Sequence, residues 1–236
     1  MGKPFEIRRE VPLEAAPDEV WKAIATSDGL AAWFMPMELD LDSPVVTSNE
    51  PGRRLGIRMP PGDDGSFHAF DYRIESAGPG SSVLRFAHSG FTGDGWSDNY
   101  EALTGAGWDM YLHTLSQYLT HFAGLPAHYV EAEGPPASAD ESLWPRLLTA
   151  IGLPEPVKEG TGVRFDIPRF GAAEGVVDYT TPSFLGLRAP SALIRFHGRA
   201  GLGMPVAVSL HVYVKTDYDT AGAQHAWESW LASVFS

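Results

Sequence analysis

The chain has 236 residues, 44% of them apolar and 20% charged, which is enough apolar surface for a real core and excludes wholesale disorder. Thirty acids against 17 Lys and Arg give a net charge of −13, split as −9 over residues 1–125 and −4 over the remainder. Neither half offers the positive face that nucleic acid or an anionic membrane surface requires, and the absence of cysteine excludes disulfides, thiol nucleophiles and Cys-ligated metals.

The N-terminal stretch through Lys3, Pro4 and Glu6 is polar at once, so no signal peptide is expected, and Glu6 stands where a myristoylation site needs Ser or Thr. No apolar run approaches the ~20 residues that span a bilayer. A cytoplasmic location is the expectation.

In chain order, Phe5, Ile7, Arg9 and Val11 alternate as in a half-buried strand. Pro17, Asp18 and Glu19 start a helix that carries Val20 and Ile24 on one face, with Trp21 beside it. Ser27 is the expected cap of a second short helix running through Leu30, Trp33 and Phe34, which Pro36 ends. Leu55, Ile57 and Met59 then alternate, followed by turn chemistry from Pro60 to Gly65. Two further strands, Phe70-x-Tyr72-x-Ile74 and Leu84-x-Phe86-x-His88, flank a turn near Gly78 and Pro79. If that turn closes a hairpin, Tyr72 faces Phe86, Ile74 faces Leu84 and Phe70 faces His88. A long helix is expected from Asp98 to Phe122, with Trp108, Leu112, Leu115, Leu119 and Phe122 spaced four, three, four, three along one stripe. Gly124 and Pro126 end it.

The Ala-, Pro-, Glu- and Ser-rich segment 126–142 reads as a linker between a domain at 1–125 and a second α+β region at 143–236. That region has a short helix with Leu143, Trp144, Leu147, Leu148 and Ile151. Alternating strands follow around Val163–Ile167, Ile194–Phe196 and Val206–Val214, and a last helix begins near Thr220 with Trp227, Trp230, Leu231 and Val234 on one face. Helix, antiparallel strands and terminal helix recur, which suggests a degenerate second copy of the first domain.

Two runs, Ala16-Pro17-Asp18-Glu19-Val20-Trp21-Lys22-Ala23-Ile24 and Gly29-Leu30-Ala31-Ala32-Trp33-Phe34, resemble the N-terminal motif of the SRPBCC superfamily. Together with His88-Ser89-Gly90-Phe91 and Gly107-Trp108, they look like the branch of bacterial homologues of the activator of the 90-kDa heat-shock chaperone ATPase. The resemblance covers about residues 5–122, and the second half departs from a single-domain member. It implies an α+β helix-grip (START-like) fold, a curved antiparallel sheet around a long C-terminal helix with a cavity between them. It specifies no activity, because the fold hosts lipid carriers, receptors, cyclases and chaperone cofactors.

Phe70, Tyr72, Phe86, His88, Trp108, Leu112 and Leu115 (with Leu119) are the candidate ligand-binding residues, facing such a cavity. Each taken alone reads as core filler, and it is the group that suggests a partly open pocket. His88 is the polar one among apolar neighbours, able to orient a ligand or exchange a proton. His68, on the parity of Phe70, sits towards the mouth. His113 and His121 are eight apart and form no chelating pair, and the chain has no His-Glu-x-x-His, Walker loop or Gly-x-Ser-x-Gly elbow. No metal, cofactor or catalytic residue is therefore assigned. The expected function is non-catalytic binding of a small apolar or amphipathic molecule. The alternatives are a protein-interaction module that binds a chaperone or other protein, and a cyclase- or hydrolase-type enzyme using His88.

Overall fold

The computed structural model describes residues 2–93 and 99–236. The chain forms two compact units, Met1–Ala123 and Gly124–Ser236, both α+β and each built on one antiparallel sheet. No described helix is long and apolar enough to cross a membrane.

The first unit runs β1 (Pro4–Leu13), α1 (Pro17–Ala25), α2 (Ser27–Ala31), β2 (Val46–Glu50), β3 (Arg54–Arg58), β4 (Phe67–Gly78), β5 (Ser81–Phe91) and α3 (Tyr100–His121). The expected helix start at Asp98 lies outside the described residues. The strand order is β1-β5-β4-β3-β2, so the last strand pairs with the first. The β4–β5 hairpin has the register set by its turn and its apolar alternation: Phe70 opposite His88, Tyr72 opposite Phe86, Ile74 opposite Leu84.

Local chemistry explains the short helices. Glu19 reaches back to accept from the Ala16 backbone N–H at 2.9 Å, the half of a capping box that does not need a polar side chain at Ala16. Thr26, not Ser27, caps α2, accepting from Gly29 N–H at 3.0 Å, whereas Ser27 Oγ accepts from Leu39 N–H at 3.0 Å and so ties down the following loop. α2 is also shorter than expected, ending at Ala31 and leaving Trp33 and Phe34 beyond it. Trp33 is fully enclosed, and its indole N–H donates to the Ala23 carbonyl at 2.9 Å, locking α1 to the segment after α2.

The second unit runs β6 (His128–Glu133), two 3₁₀ turns (Pro136–Ala139 and Glu141–Leu143), α4 (Trp144–Ile151), β7 (Gly162–Ile167), β8 (Gly171–Thr180), β9 (Phe184–Ala189), β10 (Ala192–His197), β11 (Ala207–Val212) and α5 (Thr220–Val234). Its order, β6-β11-β10-β9-β8-β7, again joins the last strand to the first, and a helix again closes the unit. The supposed linker thus contains a sheet strand: Val130 and Ala132 are buried on β6, which pairs with β11 from Ala207↔Glu133 to Val212↔His128. Asp219 caps α5 through Gly222 N–H at 2.9 Å. Trp227 and Trp230 are core residues, packed with Phe165 and Phe196.

One residue departs from its alternation. Arg195 lies between Ile194 and Phe196, where period two suggests solvent, yet it is 1% exposed. Its guanidinium grips Asp178 with two bonds of 2.9 Å, and Gly186 leaves the room for it, since a Cβ there would lie 2.8 Å from Arg195 Nη1.

Candidate functional site

Sheet parity and the helix stripe converge in the first unit. β5 contributes His88, 4% exposed, and the enclosed Phe86, while β4 contributes Phe70 and Tyr72. α3 contributes Trp108, with Leu112 one turn on and Leu115 two turns on. The Trp108 ring lies 4.4 Å from Phe86, and Phe70 stacks on His88 at 4.5 Å. Phe5 of β1 meets the His88 ring edge-on at 5.0 Å. Gly90 permits that close approach, because a Cβ there would lie 3.0 Å from the Phe5 ring and 2.0 Å from the Phe67 carbonyl.

Two hydrogen bonds thread this aromatic shell. Trp108 Nε1–H donates to His88 Nδ1 at 2.9 Å, and His88 Nε2 lies 2.9 Å from His68 Nδ1. Indole is a donor only, so neutral His88 keeps its lone pair on Nδ1 and its proton on Nε2. The Nε2–H then donates to His68 Nδ1, which places the proton of neutral His68 on its own Nε2. Burial, reinforced by the neighbouring His68, pushes His88 down to about 4, and burial also lowers His68.

Burial grades outward through the cluster. Trp108, Phe86 and His88 are buried, whereas Phe34, His68, Phe70 and Tyr111 are half-buried around them. Phe34 stacks on Trp108 at 5.4 Å with the planes 14° apart, and meets Tyr111 edge-on at 4.7 Å. The sequence reading does not include Phe34, Tyr111, Phe5 or Tyr100 (5.2 Å from Phe5) in the site. Tyr111 follows Trp108 by three positions, and that helical spacing is the signal that could have found it. Tyr72, Leu112 and Leu115 are all buried, at 6%, 2% and 0% exposure.

β1 is fastened to α3 beside this cluster. Arg9, on the inward parity, makes a two-pronged ion pair with Asp109, its Nη2 lying 3.0 Å from Oδ2. Gly105, one turn before Asp109, leaves the guanidinium its path, since a Cβ there would lie 3.1 Å from Nη2. Among the described residues no three His, Asp or Glu side chains gather as a metal site.

No protein-family model matches the chain, and no curated protein matches it. Solved structures do. The Aha1 dimer from Colwellia psychrerythraea is 18% identical, covering 49% of this chain and 96% of that one at a TM-score of 0.38. DynU16, a protein in the dynemicin biosynthetic locus, is 18% identical over 97% of this chain and 96% of its own, at a TM-score of 0.38. The di-domain ARO/CYC BexL from the BE-7585A biosynthetic pathway is 13% identical, covering 89% of this chain and 85% of that one at 0.41. These are likenesses of backbone and assign no activity.

Proposed function

We propose that both units are helix-grip domains and that the first binds a small apolar or amphipathic molecule, its ring or chain lying on Phe70, Phe34 and Trp108 and its polar group meeting His68. The observation that carries the reading is the hydrogen-bonded series Trp108–His88–His68, which runs from a buried indole to a half-buried imidazole inside an aromatic shell. Mostly apolar walls with one or two oriented polar groups are the general make-up of small-molecule sites. A neutral imidazole pair suits a hydroxyl or carbonyl better than a carboxylate or an ammonium. In this reading Tyr72, Phe86, Leu112 and Leu115 back the site from the core.

The test is a fluorescence titration of the full chain with N-phenyl-1-naphthylamine. Saturable binding that weakens at least tenfold in Phe70→Ala, with an unchanged melting temperature, supports the site. Absence of binding, or binding lost in Phe184→Ala of the second unit but kept in Phe70→Ala, overturns it.

A second reading, proton transfer to a bound substrate, is favoured by the 2.9 Å imidazole–imidazole contact. His68 would then be the catalytic group, because it is half-buried where His88 is enclosed. His88 would act as a positioning residue, holding the lone pair and proton of His68 in place. A turnover pH profile that shifts in His88→Gln and collapses in His68→Gln supports this reading, and an unchanged profile in both excludes it.

A further inference from the structure

The second unit contains a pocket of about 540 Å³, within the usual range for small-molecule sites, walled by three separate segments. Trp144 and Leu148, one turn apart on α4, form one side. Thr180, Thr181, Pro182 and Phe184, at the β8–β9 turn, form the other. Glu155, Pro156 and Val157 form the rim.

The walls are held before any ligand arrives. The Trp144 ring lies against bare backbone at Gly198, where a Cβ would come within 3.1 Å of it, and Gly198 N–H donates to the Ser183 carbonyl at 2.6 Å. Thr181 Oγ1 accepts from Phe184 N–H at 3.0 Å, fixing the turn, and the buried His197 ring meets Phe184 edge-on at 5.8 Å. Such preorganisation lowers the ordering cost of binding.

Three polar groups around the pocket have no protein partner among the described residues. Among the described residues none accepts from Trp144 Nε1–H, none bonds the Thr180 hydroxyl, and none pairs with the Glu155 carboxylate. Glu155 is the one charged residue of the lining, and the whole chain carries −13. Both the local charge and the overall field favour a cation and repel an anion. A pocket lined by both an indole and a carboxylate is suited to an aromatic or alicyclic ring with a protonated amine.

We propose that this pocket is a ligand site for a small, flat, cationic amphiphile, with its ring on Trp144 between Leu148 and Phe184 and its ammonium at Glu155. All of its lining residues belong to the second unit.

The test uses three probes of one shape on the full chain: 1-naphthylmethylamine, 1-naphthylmethanol and 1-naphthylacetate, followed by two-dimensional amide and indole NMR. The expected result is perturbation of the Trp144 indole resonance and of the backbone amides of residues 180–184 (proline apart). The amine should bind about tenfold more tightly than the acetate. Glu155→Gln should weaken the amine five- to tenfold and leave the alcohol unchanged, both read at the Trp144 and 180–184 resonances. Equal affinity for amine and acetate, indifference to Glu155→Gln, or no perturbation at these residues at millimolar probe would overturn the proposal.

Discussion

Trp108 Nε1–H donates to His88 Nδ1 at 2.9 Å, and that single bond decides which nitrogen of the buried imidazole carries the proton. Nitrogen NMR at neutral pH should therefore show His88 Nδ1 unprotonated and Nε2 protonated. Trp108→Phe removes the donor while keeping most of the ring. It should destabilise the fold by about 1–3 kcal/mol through the orphaned acceptor and the lost volume. A His88 spectrum unaltered by that substitution would contradict the assignment.

Burial of two imidazoles ties stability to pH. An unfolded histidine titrates near 6.5, whereas His88 is held down to about 4 and His197, buried beside Arg199 and Arg195, down to about 3. Because the unfolded chain takes up these protons first, stability is full above pH 6.5 and falls as pH drops through 6.5 towards the folded values. Between pH 7 and pH 5, before most carboxylates titrate, His88 should account for a loss of about 1–2 kcal/mol. Urea midpoints at the two pH values, compared between the parent and His88→Gln, read this directly: the variant should lose less.

The Arg195–Asp178 pair is buried at 1% and 5% side-chain exposure. Asp178→Ala removes the carboxylate that grips the buried guanidinium and should cost about 3–5 kcal/mol, while the double change Asp178→Leu with Arg195→Met should recover most of the loss. The four urea curves of a double-mutant cycle check this, and a double variant no better than Asp178→Ala would refute it.

Two glycines should respond with opposite signs to the same methyl group. Gly90→Ala places a Cβ 2.0 Å from the Phe67 carbonyl, so β4 and β5 must part beside His88, and the fold should lose several kcal/mol. Gly107, on α3, has nothing within 4 Å of a built Cβ, and Gly107→Ala should gain up to about 1 kcal/mol from helix propensity. Thermal melts of both variants decide it.

Several elements were readable from local chemistry. The β4–β5 register followed from one strong turn and two runs of alternation, and the α3 stripe followed from its spacing, so Phe70, His88 and Trp108 could be placed on facing surfaces. β8 was hidden because its first half, Gly171-Ala172-Ala173-Glu174-Gly175, offers no apolar alternation. β6 was hidden because Pro126, Gly134 and Pro135 flank only two inward residues, Val130 and Ala132. Both are strands because a neighbouring strand supplies the hydrogen bonds, β11 for β6 and β7 and β9 for β8. With β8 unread, Asp178 was not available as a partner, and Arg195 could only be assigned to solvent.

By itself the sequence determined composition class, the apolar faces and most of the helix and strand order, because period and turn residues are properties of short segments. Only the tertiary structure decided the tautomer of His88, its contact with His68, the burial of Arg195 and the pocket between Trp144 and Phe184. Each of these depends on atoms brought together from segments 17 to 40 positions apart, at distances of a few ångströms, and no local pattern encodes such a distance.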